Sequence, residues 1–179
     1  RLQSLDPALK ERIDEYLRLI VPGIASTVVR RVEDWEVLEF EQEPVKGDRN
    51  RSFSAAVMSD GTLRALGVLT ALFPSEINGA SWPVCIEEPE TALHPAAAGV
   101  LLDAVHDASE RRQVFVITHS PDLLDGGVAP SELFAVRATG NGTRVGSLDG
   151  AGRVALGESG VSAGDLLRTD RLRPAHQDG

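Results

Sequence analysis

Residues 84 to 95 read Val-Cys-Ile-Glu-Glu-Pro-Glu-Thr-Ala-Leu-His-Pro, a short apolar run that stops at two adjacent carboxylates and a proline. A run this short suits a buried strand of a parallel sheet, and in open α/β sheets ligands gather beyond the carboxyl ends of such strands. Glu87 and Glu88 stand at that end. Successive side chains on an extended chain point to opposite faces, so one carboxylate can turn toward a metal and the other toward a water. This is the layout of a site for phosphate chemistry. The bland alternative is a solvated strand end that opens a loop.

Two further segments bear on that choice. Downstream, Arg112 to Pro121 is a second β-rich run that delivers His119 to the same edge of the sheet. Upstream, Met58-Ser59-Asp60-Gly61-Thr62-Leu63-Arg64 opens a helix-patterned stretch continuing through Leu66, Leu69 and Phe73. Ser59 and Asp60 are good N-cap types, and a helix N-terminus, with its exposed N–H groups and dipole, favours anions. Together the three segments resemble the signature loop, the Walker B strand with its D-loop, and the switch histidine of ABC-type ATPases. More closely, SDGTLR, EEPE with TALHP, and THSP in this order are similar to predicted ATPases of the AAA family related to the RecF, SMC and OLD (overcoming lysogenization defect) proteins. The resemblance spans roughly residues 7 to 170.

The resemblance implies a P-loop NTPase-like α/β fold: the C-terminal lobe of an ABC ATPase head, with a mostly parallel sheet flanked by helices and a closing β-hairpin. It implies ATP and Mg²⁺ as cofactors and a role for each motif residue. Glu88 would be the general base that orients the attacking water, and Glu87 would contact Mg²⁺ or its water shell. His119 would bond a γ-phosphate oxygen and sense its loss. Ser59 and Gly61 would approach the γ-phosphate of a nucleotide held by a second subunit, so their helix terminus should face outward, displaced from the carboxylates. Asp60 stands where the best-known signature has glycine. Arg64 could pair with it or reach the phosphate. His94, in the D-loop, lies toward a dimer interface or serves as a helix N-cap ahead of Pro95. Glu90 either caps the following turn or lines the site.

A P-loop needs Gly-Lys-Ser/Thr after a glycine-rich turn, and neither of the two lysines, Lys10 and Lys46, sits in that context. The expectation is a C-terminal fragment whose partner is a P-loop segment of the same protein, inactive alone and dimeric around ATP once joined to it. Arg1 at the start and Met58 as the sole methionine fit that reading. The formal net charge of −9 argues against this piece as the main nucleic-acid contact, leaving DNA to other parts of the protein. Cys85, the single cysteine, reads as a small buried hydrophobe and suits a cytoplasmic setting. No apolar run approaches the roughly 18 residues of a membrane span.

Helical spacing covers residues 5 to 20, with Asp6 as cap and Pro7 in the first turn. Residues 28–32, 35–41 and 53–57 read as strands, the latter two separated by a polar loop. A helix from Ser59 to about Phe73 precedes the residue 84–87 strand, and another from Pro95 to about Ala108 precedes the His119 strand. A helical turn at 122–124 leads to a hairpin of residues 132–137 and 143–148. Residues 149–164 read as glycine-rich loop, 165–168 as a last helical turn, and 171–179 as a disordered tail. Two other functions fit the same residues: an ATP-dependent dimerisation switch with negligible hydrolysis, and a metal-dependent phosphoesterase built from Glu87, Glu88, Glu90 and His119.

Overall fold

The Asp6 carboxylate accepts the Ala8 N–H at 2.8 Å and, with Pro7 at the first helical position, starts helix α1 (Pro7–Ile20). Ile13, Leu17 and Ile20 form its buried stripe, as the helical spacing requires. The computed structural model describes residues 6–43, 51–74, 82–140, 142–158 and 160–175. The chain divides into two units, residues 1–118 and 119–179.

In the first unit α1 packs on strand β1 (Ile24–Val32) and on helices α2 (Asp60–Leu72) and α3 (Ala98–Ser109). β1 pairs antiparallel with β2 (Trp35–Gln42), which pairs antiparallel with β3 (Ser52–Ser54). Asp14, 2% exposed, ties helix to sheet by accepting from the Thr27 N–H at 3.1 Å and its hydroxyl at 2.8 Å, and it also pairs with Lys10. A buried carboxylate needs such partners. Residues 55–57, expected to extend β3, instead form a 3₁₀ turn in which Ser54 Oγ accepts the Ala56 N–H. Residues 44–50 and 75–81 of the expected loops lie outside the described residues.

β4 (Val84–Glu87) and β5 (Val114–Ile117) pair in parallel, Val84 opposite Val114 and Glu87 opposite Ile117. The crossover between them runs through a 3₁₀ turn at Pro95–Ala97 into α3, long enough to return the chain in the same direction. Parallel pairing is narrower than the sequence suggested: among the described residues the other ladders are antiparallel. The β1–β2 connection, only Glu33 and Asp34, is too short for a crossover.

α2 and α3 pack on β4 and β5, where Val84, Ile86 and Val116 are half-buried. The opposite face carries Cys85, Phe115 and Ile117, all exposed. Cys85 is therefore not the buried hydrophobe expected: it falls on the face of the pair that this chain leaves uncovered.

The second unit begins with helix α4 (Pro121–Leu124), capped by Ser120, and continues into the hairpin β6 (Phe134–Thr139) and β7 (Gly142–Ser147). Its core joins Leu133, Ala135, Leu148 and Ala163. Residues expected to be loop form α5 (Gly150–Glu158), and α6 (Ala163–Arg168) starts with a Ser162–Asp165 capping box. Gly164 sits so close to α4 that a Cβ would meet the Pro121 carbonyl oxygen at 2.5 Å. Arg168 binds the carboxylates of Asp122, Asp125 and Asp165. The chain also stays ordered past Arg171: Pro174 bridges Leu148, and Ala175 donates to the Ser147 carbonyl at 2.8 Å. The tail expected over 171–179 is thus bonded to the hairpin through Ala175, with 176–179 outside the described residues.

Candidate functional site

The parallel ladder ends at the two carboxylates. The Glu88 N–H donates to the Ile117 carbonyl at 2.7 Å, one residue past β4, and the chain then turns: Thr91 N–H bonds the Glu88 carbonyl at 3.1 Å and Leu93 N–H the Glu90 carbonyl at 3.0 Å. Pro89 is buried, whereas Glu87 and Glu88 are exposed. Glu88 has φ 45° and Ala92 φ 66°, left-handed values that non-glycine residues adopt only under constraint. The Glu88 carboxylate accepts from the Thr91 hydroxyl at 3.2 Å.

Glu90 turns back beneath this bend. One of its oxygens accepts the Thr118 hydroxyl, and the other is buried without a hydrogen-bond partner in the structure. His94 caps the 3₁₀ turn, its Nδ1 accepting the Ala96 N–H at 3.1 Å with Pro95 at the first helical position. That matches the capping alternative for His94 and leaves its Nε2 uncommitted to the cap.

The first turn of α2 packs against the bend that follows the carboxylates, at Ala92. Ser59 Oγ caps the helix by accepting the Thr62 N–H at 3.2 Å and lies 2.9 Å from the Thr62 hydroxyl. A Cβ on Gly61 would stand 2.4 Å from the Ala92 carbonyl oxygen, so the glycine is demanded here by the chain's own turn. Arg64 turns to the main chain rather than to Asp60: its Nη2 donates to the Glu88 carbonyl at 2.8 Å and reaches the Glu87 carbonyl at 3.4 Å. Thus Gly61 and Arg64, three residues apart at the start of α2, meet the bend at Ala92 and at Glu88. His119 follows Thr118 directly, is exposed, and is the first residue of the second unit.

Glu87 and Glu88 lie at the end of β4, and Ser59 and Gly61 at the start of α2; sequence reasoning missed three contacts around them: Arg64 to the carbonyls, Thr118 to Glu90 and Thr91 to Glu88. The parallel register carried the signal for one of them, because Thr118 is the next residue beyond Ile117, itself opposite Glu87. Exposed oxygen donors at a strand end suit Mg²⁺, which is bound by one or two carboxylates together with phosphate oxygens. Among the described residues no three His, Cys, Asp or Glu side chains converge as a metal-binding group.

The family model described as AAA domain, putative AbiEii toxin, Type IV TA system matches residues 3–125. No curated protein matches the chain. Among solved structures it is similar to the SMC head domain of Pyrococcus furiosus, determined with an extended coiled coil and bound to the C-terminal domain of ScpA. That match has a TM-score of 0.58 at 19% identity and covers 85% of this chain and 37% of that one. The SMC head of Pyrococcus yayanosii, with a coiled coil and joint, gives a TM-score of 0.55 at 21% identity, over 86% of this chain and 29% of that one. A structure from work on ATP-driven dimerization and DNA stimulated activation of SMC ATPases gives 0.52 at 20% identity, over 79% and 84%. The chain therefore spans about a third of the two Pyrococcus head chains, and these likenesses concern the fold. By its match over residues 3–125 the chain belongs to this AAA domain family, and its α/β fold is that of an ABC-type, SMC-like ATPase head.

Proposed function

We propose that the chain is the C-terminal half of an ATPase head that closes as a dimer around Mg-ATP and hydrolyses it. The observation that carries the proposal is the parallel pairing of β4 and β5, which ends both strands at one edge, with Glu87 opposite Ile117 and Glu88 bonded to it. A parallel pair is normally covered on both faces, and here Cys85, Phe115 and Ile117 are exposed on one of them. A P-loop segment of the same protein is the proposed cover, and it would supply the phosphate cradle and its lysine.

In this mechanism Glu88 takes the proton of the water that attacks the γ-phosphorus, as the bond to the β-phosphate oxygen breaks and ADP leaves. Mg²⁺, when bound with the nucleotide, neutralises phosphate charge, and Glu87 is the residue that would hold it or its water shell. His119 donates a hydrogen bond to the γ-phosphate. The Ser59 hydroxyl and the amides of Asp60 and Gly61, which by position have no intrahelical acceptor, serve the nucleotide of the second subunit. His94, in the turn after Glu88, faces that interface.

The test is steady-state ATP hydrolysis by the full-length protein with and without Glu88→Gln. A loss of about 100-fold or more in kcat, with ATP affinity kept, is expected of a removed base. Hydrolysis that survives the substitution would exclude Glu88 from that role.

A further inference from the structure

We infer that Arg64 is a positioning residue that fixes the backbone of Glu88, and so the aim of its carboxylate. The inference rests on the reading of Glu88 as the general base. Glu88 occupies a left-handed conformation, φ 45°, which costs a non-glycine residue on the order of 1–3 kcal/mol and persists only where its surroundings over-determine it. Both peptide groups flanking its Cα are held. On one side its N–H donates to Ile117 at 2.7 Å; on the other its carbonyl accepts from Thr91 N–H at 3.1 Å and from Arg64 Nη2 at 2.8 Å. With both planes fixed, the direction of the Cα–Cβ bond is fixed too. The first two bonds belong to the ladder and to the turn itself, whereas the Arg64 bond is charge-assisted and comes from a different element, α2.

The same helix touches the bend a second time, through Gly61 against the Ala92 carbonyl, and Ala92 is the other left-handed residue of the turn, at φ 66°. Its N-cap is Ser59, the residue proposed to meet a nucleotide. Arg64 is therefore the tether by which the position of α2 sets the geometry of Glu88 within one chain. Its guanidinium sits on the carbonyl oxygens of Glu87 and Glu88.

Two measurements test this. In the 179-residue chain, NMR of Glu88 reports its backbone directly, through the Cα and Cβ shifts and the HN–Hα coupling. Arg64→Ala should move these away from left-handed values, and Arg64→Lys, which keeps a cationic donor, should move them less. Glu88 signals unchanged by Arg64→Ala would overturn the inference whatever the ATPase activity. In the full-length protein Arg64→Ala should lower kcat about 10- to 100-fold, as expected of a misplaced catalytic group, with KM for ATP within about threefold of wild type. In a Glu88→Gln background it should lower kcat no further, because a residue that acts only through Glu88 has nothing left to position. A raised KM at normal kcat, or an additive loss in that background, would show that Arg64 acts on the nucleotide and would overturn the inference. If Glu88→Gln is inactive while Arg64→Ala keeps full kcat, the inference falls and the base assignment stands. If Glu88→Gln hydrolyses ATP like wild type, the base assignment falls and takes the inference with it.

Discussion

Gly61 in the first turn of α2 and Ala92 in the bend after β4 pack backbone to backbone, so closely that a Cβ on Gly61 would lie 2.4 Å from the Ala92 carbonyl oxygen. The atom met is main chain, so relief requires moving the helix or the turn. Gly61→Ala should destabilise the chain by about 1–3 kcal/mol, the usual cost of forcing volume into a packed contact. Gly67, in the same helix, has nothing within 4 Å of a built Cβ. Gly67→Ala should therefore stabilise by about 0.5–1 kcal/mol, through helix propensity and the unfolded chain. Urea unfolding of both variants checks the pair. Equal midpoints would mean that the tight contact does not form in solution.

The isolated 179 residues should neither bind Mg-ATP tightly nor hydrolyse it. Neither Lys10 nor Lys46 stands in a P-loop, so the chain offers carboxylates for the metal and water but no cradle for the phosphates. Isothermal calorimetry with Mg-ATP should give no measurable heat of binding at micromolar protein. Micromolar affinity would show that the proposed division of the site between two segments is wrong.

What the sequence made legible followed from local chemistry. The β4–β5 pair could be read because two short apolar runs flank a helix of crossover length, and the caps Asp6 and Ser59 are residues of the right type at the right place. α5 was not legible. Gly150, Gly152 and Gly157 each weaken a helix by about 1 kcal/mol relative to alanine, so propensity alone argues for a loop there. The structure offsets this with the Asp149 carboxylate, which accepts the Gly152 N–H at 2.7 Å, and with burial of Ala155. Within the site, Arg64 lies 24 residues from Glu88 in sequence, and pairing it with Asp60 was the local guess. Which carbonyls it meets depends on how α2 lies against β4, a tertiary relationship that no spacing rule encodes. Cys85 misled for a similar reason: strand burial is decided by what covers each face, and the sequence of one strand does not say.

The pH response of the first unit should centre on Tyr16 and Asp107. Arg12 binds the Asp107 carboxylate through two nitrogens, one at 2.7 Å, and Tyr16 donates to it at 3.1 Å while stacking on Phe73 with centroids 5.7 Å apart. Burial first, and then the negative charge of Asp107, push the Tyr16 phenol up to about 12 from its usual 10.0. A group whose folded value is raised stabilises fully below its unfolded value and loses that contribution as pH climbs through the folded one. Stability should therefore decline between about pH 10 and 12. Asp107 behaves oppositely: the Arg12 hydrogen bond lowers its value, so its contribution holds above the unfolded value near 4 and fades as pH falls below it. Tyr16 is the sole tyrosine, so phenolate absorbance during an alkaline titration reports it alone. An ionisation midpoint near 10 would mean that the Tyr16–Asp107 contact is absent.

Glu88→Gln in the full-length protein should trap an ATP-bound dimer. The substitution removes the proton acceptor but keeps the size of the side chain and an oxygen that can still accept the Thr91 hydroxyl, so the left-handed turn at Glu88 and the Arg64 bond to its carbonyl should persist. Nucleotide contacts assigned to Ser59, Gly61 and His119 are also untouched. ATP can then close the interface but not leave as product, and the closed state accumulates by mass action. Size-exclusion chromatography with Mg-ATP should show the variant eluting as a dimer and the wild type returning to monomer as ATP is consumed. Glu88→Ala, lacking the acceptor for Thr91, should hold the dimer less well at the same ATP concentration. A Glu88→Gln protein that binds ATP with wild-type affinity and still elutes as a monomer would show that two heads do not close around the nucleotide.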